Sequence, residues 1–445
     1  MEPVATATVT GVEEQGTGAT RSMPNPFSTA TTALYAAAWL LVMFQGWGAQ
    51  IGGDPMSWLQ HPADTAARVV ERDLELASAV ERVEPGRELR RNLYGSFEEV
   101  LDASIWIQRD AADAVASRVE TGQESPDTLL KTNAQLSVLL AEAGRLDEAS
   151  EVAEHSRNSE LEAANSALMI SLESEERGER WLRRSDMMTA ANMLMIAAGA
   201  LVSIALARGT IRLQSPVPLV VPWSSALGFA VMVRADFWNR LYFVSLAQLG
   251  GMPSFLYSWG TLIASLPMLW LVYRHLLTPA SGTLLEPFGL SRQTLRLQRI
   301  VPIAGAVVAI NFLGTTVLAW GSWGLGFEGH WAEGLDETLI WGHTREVIET
   351  SIDYVLLTPV LEELLFRGLL FFTLRNRFGV WNAALMSSLF FSAVHFYSLP
   401  GFLMTFWSGF VWAIAFERAR SLLPGMAAHA IYNLFFVAGI LLIYR

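Results

Sequence analysis

The sequence TPVLEELLFRG, residues 358–368, lies within an apolar run that extends from 352 to 374. At a rise of 1.5 Å per residue, a helix of this length crosses about 30 Å of hydrocarbon. An ionised side chain near the middle of a lone spanning helix costs about 2.5–3.5 kcal/mol on insertion scales. The stretch nevertheless contains Glu362, Glu363 and Arg367. We therefore predict a membrane-spanning helix whose charged side chains face the protein interior and serve a function.

The spacing of these three residues separates their roles. Glu363 and Arg367 are four positions apart with the acid first, which is the favoured order for an ion pair on one helix face. Glu362 lies about 100° round the helix from Glu363 and cannot share the same partner equally well. Glu362 is therefore the candidate for chemistry. The competing interpretation is a purely structural ion-pair network that ties helices together.

Further apolar segments flank this helix, and 52% of the chain is hydrophobic, as in a protein with several membrane spans. The region 217–250 is too long for one span and is interrupted by charges, so one or two crossings are open. The sequence predicts an all-α, polytopic transmembrane helix bundle of about eight or nine spans with an inserted soluble helical domain. The other predicted spans are 29–51, 187–207, 254–273, 301–323, 381–399, 402–416 and 425–444.

Residues 53–186 differ from the rest of the chain, because charged residues recur there and apolar ones follow helical spacing. The stretch 133–149 resembles the central part of a tetratricopeptide-type hairpin, although a plain helical bundle fits equally well. We expect this domain to dock a protein partner or to act as a sensor. The predicted division is a flexible tail 1–28, a first span 29–52, the soluble domain 53–186, membrane helices 187–299 and a catalytic membrane core 300–445.

Charge indicates the orientation of the chain in the membrane. Basic loops at 274–299, 375–377 and 418–420 fall on one side, which the positive-inside rule makes cytoplasmic. One crossing at 217–250 places the 53–186 domain outside, and two crossings place it in the cytoplasm. We favour one crossing, because it puts every short basic loop on the same side. We expect a multi-pass protein of a bacterial inner or plasma membrane, with the lipid bilayer as a partner.

Composition argues against nucleic-acid binding and rules out cysteine chemistry. The net charge of −12 argues against nucleic acid as a partner. The chain has no cysteine, so it contains neither a disulfide nor a thiolate nucleophile.

The segment 324–349 is acidic and is predicted to be a loop.

Two histidines occupy apolar segments near the end of the chain. His395 follows Phe391 by four residues, and His429 precedes Asn433 by four, so each pair shares one helix face. A lone histidine in an apolar helix is more often a helix–helix contact. Together with Glu362, however, these residues place catalytic side-chain types on three of the last four helical segments. For the other five histidines, we expect solvated or structural roles.

These side chains suit hydrolysis of an amide. A carboxylate can act as general base on water, an imidazole can hold that water, and imidazole and carboxamide donors can stabilise the oxyanion. Alternatively, Glu362, His395 and His429 form a set able to bind zinc with an open position for water. The usual His-Glu-x-x-His signature is absent from the sequence.

The motifs Glu362-Glu363-x-x-x-Arg367, Phe391-x-x-x-His395 and His429-x-x-x-Asn433 resemble, in this order, the three motifs of the CPBP intramembrane endopeptidases. This family includes the eukaryotic CAAX prenyl endopeptidase, bacteriocin-processing relatives and the lysostaphin-resistance type. The resemblance covers about residues 300–445 and does not extend to residues 1–186.

The resemblance implies a role for each residue. Glu362 would be the general base, His395 would help to activate water, and His429 with Asn433 would form the oxyanion site. Glu363, Arg367 and Phe391 would support them, and no catalytic metal would be needed. The substrate would be a membrane-associated protein or peptide, with a lipidated CAAX peptide as an expectation borrowed from eukaryotic relatives.

Two other functions remain open from the sequence. The first is a non-proteolytic scaffold or immunity-type protein, in which the 53–186 domain recruits a partner. The second is transport of a solute or proton through a polar pocket, which no inverted repeat or broken helix pair supports.

Overall fold

The structure is a computed structural model that describes residues 25–52, 59–83, 97–154, 175–208, 221–249, 256, 259–278, 286–290, 297–327 and 329–445. Most of the predicted tail, residues 1–24, lies outside this set. Within it the chain is helical and contains no strand. The helices are α1 Thr29–Gly52, α2 Pro62–Val83, α3 Phe97–Glu120, α4 Pro126–Glu142, α5 Leu146–Glu154, α6 Glu175–Ala207, α7 Ser225–Leu249, α8 Gly260–Val272, α9 Leu297–Gly324, α10 Glu337–Trp341, α11 at 344–371, α12 Phe372–Ala393, α13 Leu399–Ala419 and α14 Leu423–Tyr444.

Five of the described helical segments are long and apolar enough to cross a membrane. The predicted class, an all-α membrane protein, is therefore confirmed, while the number of about eight or nine spans stays a prediction. Helices α7 and α11, which contain charged side chains within their apolar runs, are not among the five. The five segments are Leu182–Ala207, Gly260–Leu277, Ile300–Gly324, Leu399–Ala419 and Leu423–Tyr444.

Three segments differ from the extents that the sequence suggests. The described part of 217–250 contains one continuous helix, α7. The segment 324–349, predicted as a loop, contains α10 and the first turns of α11. The span predicted at 381–399 is too long, because α12 ends at Ala393 and α13 begins at Leu399. Pro400 explains the break, since proline is favoured in the first turn of a helix and disfavoured in its interior.

Helix α11, which carries Glu362, departs from regular α-helical geometry. It contains two π-helical stretches, Asp353–Leu357 and Leu364–Phe371, a feature that recurs at functional sites. Pro359 lies between them and has no N–H, so it leaves a carbonyl of the preceding turn without its helical donor. The chain continues directly into α12 and turns at Gly379, whose φ of 76° suits glycine.

Aromatic side chains form the centre of the membrane part. Phe371 and Phe372 both make edge-to-face contacts with Phe416, a geometry that adds to the gain from burial. Phe391 and Trp412 belong to the same core and are also buried. This packing fixes the relative positions of the helices that carry the predicted site residues.

Helices α2–α5 and the preceding residues 59–61, which together we call the inserted domain, have a hydrophobic core of their own. The stretch 133–149 forms the α4–α5 hairpin, with Gly144 at the turn in the left-handed conformation at φ 74°. Its assignment to the tetratricopeptide type stays a prediction. Core residues of the inserted domain include Val70, Leu74, Ile105, Leu139 and Leu140.

The inserted domain is attached to the segment between α9 and α11 by two sets of hydrogen bonds. The Glu337 carboxylate accepts from the backbone N–H groups of Gln60 and His61 and from the Thr65 hydroxyl. A charged acceptor strengthens such bonds. The inserted domain therefore lies directly over this part of the membrane core.

The second set centres on Asp110 of α3. Its carboxylate lies 2.7 Å from His330 Nε2 and accepts from Trp331 Nε1 at 2.9 Å. Burial disfavours the Asp110 carboxylate, but the hydrogen bonds from His330 and Trp331 outweigh this and hold its pKa below the ordinary value.

The inserted domain and the basic loop at 418–420 lie at opposite ends of α14. This helix begins at Leu423 and ends at Tyr444, where the Arg72 guanidinium lies 4.9 Å from the Tyr444 ring centroid. A helix of 22 residues is about 33 Å long. This is the arrangement expected for one crossing at 217–250; which end is cytoplasmic stays a prediction.

Candidate active site

A cavity of about 670 Å³ lies within the membrane core and extends to the inserted domain. Glu362 of α11, His395 in the turn after α12, and His429 and Asn433 of α14 all line it. Gln60 lines its other end, so the cavity reaches from the middle of the bundle to the end where the inserted domain packs. The structure thus brings together four polar residues from three parts of the chain (α11, the turn after α12, and α14) round one space, the usual setting of a ligand or active site.

The predicted pair of Glu363 and Arg367 lies behind the cavity wall. Arg367 Nη1 is 2.8 Å from Glu363 Oε1, and the two side chains are 0% and 1% exposed. The guanidinium carbon also lies 4.2 Å from the ring centroid of Phe391 and 5.0 Å from that of Trp412, distances typical of cation–π contacts. Glu363 and Arg367 do not line the cavity, but Arg367 packs against Phe391 and Trp412, which do.

His429 lies between two carboxylates. Its Nδ1 is 3.3 Å from Glu363 Oε1 and its Nε2 is 3.7 Å from Glu362 Oε2. The Trp412 ring stacks on the imidazole, with 4.1 Å between centroids and 20° between planes. Because the Glu363 carboxylate can only accept, Nδ1 must carry a hydrogen, and Nε2 is the nitrogen nearer Glu362. The imidazole is therefore fixed in position, with Nδ1–H directed at Glu363.

His395 lies just beyond the end of α12, and its orientation is also fixed. Nδ1 lies 2.6 Å from the Phe391 carbonyl oxygen, while the backbone N–H of His395 bonds to Ser392. A carbonyl accepts, so Nδ1 is the protonated nitrogen and Nε2 carries the lone pair in the neutral ring. Phe391 also packs edge-on against the imidazole at 4.8 Å between centroids.

Asn433 has a second role that the sequence does not reveal. Its Nδ2 donates to the Tyr354 carbonyl oxygen at 2.8 Å. In the π-helical stretch Asp353–Leu357, the Thr358 N–H bonds to Asp353, and the residue five positions after Tyr354 is Pro359, which has no N–H. Asn433 therefore supplies the donor that this carbonyl lacks. One amide N–H of Asn433 is used in this way, and the carboxamide still lines the cavity.

Three further residues near the site could not be identified as part of it from the sequence alone. Trp412 has no local signal, since it is one aromatic residue in an apolar helix. Arg240 of α7 lines a second cavity, of about 240 Å³, together with Glu362 and His395. Glu333 precedes α10 and binds Ser398, three residues after His395. The one available signal is that Arg240 is a charge inside an apolar run, where charge is expensive.

The mechanism without a catalytic metal and the alternative with zinc both stay predictions. Across the described ranges, no three His, Asp or Glu side chains form a group that could hold a metal ion. Glu362 and His429 approach each other, whereas Nδ1 of His395 is occupied by a backbone carbonyl. Zinc held by Glu362, His395 and His429 therefore has no further support from the geometry.

Comparison with known families supports a protease. Residues 346–435 match the family described as type II CAAX prenyl endopeptidase Rce1-like. This segment contains Glu362, His395, His429 and Asn433 together with their three predicted supporting residues. No curated protein and no solved structure matches the chain. The inserted domain, Arg240 and Glu333 lie outside the matched segment.

Proposed function

Because residues 346–435 form an Rce1-like type II CAAX endopeptidase domain in an integral membrane protein, we propose that the chain hydrolyses a peptide bond in the 670 Å³ cavity. Glu362 is the general base in this proposal. The observation that carries it is the lining of one cavity by Glu362, His395, His429 and Asn433.

The first step requires a water molecule between Glu362 and the scissile carbonyl. Glu362 takes a proton from the water as its oxygen attacks the carbonyl carbon, a role that contributes about 10²–10⁴-fold to rate. His395 Nε2 accepts a hydrogen bond from the same water, because Nδ1–H is already donated to the Phe391 carbonyl. The two groups together fix the position and polarity of the nucleophile.

The attack converts the substrate carbonyl into an oxyanion, which needs donors. His429 Nε2 and the remaining N–H of Asn433 supply them. Donation from His429 Nε2 requires a proton on this nitrogen in addition to the one that Nδ1 directs at Glu363. The C–N bond then breaks, and the proton held by Glu362 passes to the leaving amine.

The substrate class in this proposal is a membrane-associated protein or peptide. The inserted domain bounds the cavity through Leu59 and Gln60, so the substrate enters past this domain or between the helices. Prenylated CAAX termini, which the family description names, are the first substrates to try. Farnesylated and unmodified forms of one CAAX-ending peptide, supplied to the purified protein in lipid nanodiscs, separate prenyl-dependent cleavage from general cleavage.

The test of the proposal compares protein termini in membranes from cells that express the wild type, Glu362→Gln or Glu349→Gln. Glu349 is the matched control, since it is a glutamate of the same helix, paired with Arg345 and away from the cavity. Mass spectrometry should find new termini with the wild type and the control that are missing with Glu362→Gln. Identical termini in all three samples, or none specific to the wild type, would overturn the proposal.

The scaffold hypothesis gives a different result in the same cells. If the cellular phenotype survives Glu362→Gln but is lost when residues 59–154 are deleted, recruitment by the inserted domain is favoured over hydrolysis. The packing of that domain over Glu337 and over the partners of Asp110 is the observation that favours this second function.

A further inference from the structure

The turn that carries His395 is short, irregular and held at both ends. It runs from Val394 to Ser398, between α12 and α13. Phe396 adopts a φ of 56°, a left-handed conformation that is uncommon for a bulky side chain. A residue kept in such a conformation requires that its surroundings hold it there. Two charged side chains from distant parts of the chain hold this turn in place.

The first charged group is Arg240 of α7, which binds the start of the turn. Its Nη1 donates to the Val394 carbonyl oxygen at 3.3 Å, and its Nε donates to Asp236 Oδ2 at 2.9 Å. Trp39 Nε1 donates to the same carboxylate. The Arg240 and Asp236 side chains are 15% and 6% exposed, so the guanidinium is fixed by a mostly buried partner.

The second charged group is Glu333, which binds the end of the turn. One carboxylate oxygen accepts from the Ser398 backbone N–H at 2.7 Å, and the other accepts from the Ser398 hydroxyl at 2.8 Å. Ser398 precedes α13 and makes no side-chain capping bond to that helix. Glu333 therefore satisfies an N–H at the start of α13, where helices lack internal acceptors, and ties the turn to the segment beneath the inserted domain.

The second cavity could instead bind an anionic group on Arg240. Its charge balance argues against this. Arg240 is paired with Asp236, and Glu362 lines the same space, so two carboxylates face one guanidinium. An added anion would have to compete with the Asp236 carboxylate for this guanidinium.

We propose that Arg240 and Glu333 are positioning residues that fix the turn 394–398 and hence the direction of the His395 imidazole. This inference rests on the proposed function for its effect on rate, but its structural part stands without it. Both residues lie outside the segment that matches the endopeptidase family.

The variants are Arg240→Gln, Arg240→Lys and Glu333→Gln, with Arg234→Gln as the matched control. Arg234 is an arginine on the same helix, is 6% exposed, and donates to Thr31, Thr32 and Ala230 rather than to the turn. Arg240→Lys keeps the charge, but a single ammonium cannot reproduce the two bonds that the guanidinium makes in different directions.

On a substrate identified by the comparison of termini, Arg240→Gln and Glu333→Gln should each lower kcat by ~10-fold or more, with KM within about twofold, because a displaced catalytic group costs rate. Arg240→Lys should resemble Arg240→Gln, and Arg234→Gln should resemble the wild type. The double variant should lose less than the product of the single losses, since both act on one turn. Equal loss in Arg234→Gln, or full activity of Arg240→Lys, would overturn the inference.

A second readout needs no substrate. Diethylpyrocarbonate modifies neutral imidazole nitrogens, and mass spectrometry of the full chain in nanodiscs gives the rate at His395 and at His429 separately. Arg240→Gln and Glu333→Gln should raise the His395 rate severalfold and leave His429, stacked on Trp412, unchanged. An unchanged His395 rate would overturn the positioning role. A raised rate in a protein that cleaves nothing would retain it while the proposed function fails.

Discussion

Replacing Arg367 by methionine removes one partner of the most deeply buried ion pair described in the membrane core. Methionine keeps an unbranched apolar stem and removes the charged guanidinium. The Glu363 carboxylate, 1% exposed, then keeps only the longer contact from His429 Nδ1 at 3.3 Å to offset its burial.

The expected cost is about 3–5 kcal/mol, the range measured when one member of a buried pair is removed. The geometry agrees with this size, because unit charges 2.8 Å apart attract by about 6 kcal/mol at an effective dielectric constant of 20. The double variant Glu363→Gln/Arg367→Met leaves no unpaired charge. It should therefore be more stable than Arg367→Met alone.

The assay is reversible unfolding of the purified chain in mixed micelles by titration with sodium dodecyl sulfate, followed by circular dichroism. Arg345→Met is the matched control. Arg345 and Glu349 are also four residues apart with 2.8 Å between charged atoms, but the arginine is 83% exposed. Such a surface pair contributes little to stability, so the control should lose much less than Arg367→Met.

The reasoning is refuted if Arg367→Met costs no more than Arg345→Met. The single variant Glu363→Gln is measured as well. The reasoning is also refuted if the double variant loses as much stability as Glu363→Gln and Arg367→Met lose in sum, because additivity would mean that the two charges do not interact.

Two smaller perturbations test the packing of the inserted domain and of the membrane helices. The pKa of Asp110 is lowered in the fold, so its contribution to stability is present above its unfolded pKa near 3.8 and is lost as pH falls through the folded pKa. Hydrogen exchange of α3 should therefore rise as the pH is lowered through this range. Asp110→Asn should abolish this rise. Gly199→Ala should destabilise the α6–α9 contact by about 1–3 kcal/mol, because its Cβ would lie 2.2 Å from the Ala309 carbonyl oxygen, whereas Gly305→Ala meets nothing within 4 Å and should be neutral in the same unfolding assay.

Local geometry was predictable from the sequence where it depends on helical spacing. The pair of Glu363 and Arg367 is present because residues four apart share a helix face. The membrane-spanning character followed from the length of apolar runs. The end of α12 at Ala393 was misplaced because the residues after it are also apolar, although Pro400 is a recognisable sign of a new helix.

Contacts between distant residues could not be predicted in this way. Asn433 reaches the Tyr354 carbonyl because a π-helical stretch and Pro359 together leave that oxygen free, and nothing in the local sequence indicates the π geometry. Arg240 reaches Val394 across α7 and α12, two helices whose contact is fixed by tertiary packing. For such charges, sequence indicates only that a partner must exist.

The central claim is that Glu362 removes a proton from the attacking water. The most direct measurement is kcat for the purified Glu362→Gln variant in nanodiscs, on the substrate found by the comparison of termini. Glutamine keeps the shape of the side chain but cannot accept the proton, so kcat should fall by about 10²–10⁴-fold with unfolding behaviour close to wild type. A kcat within about threefold of the wild-type value would show that another group activates the water, which would contradict the role proposed for Glu362.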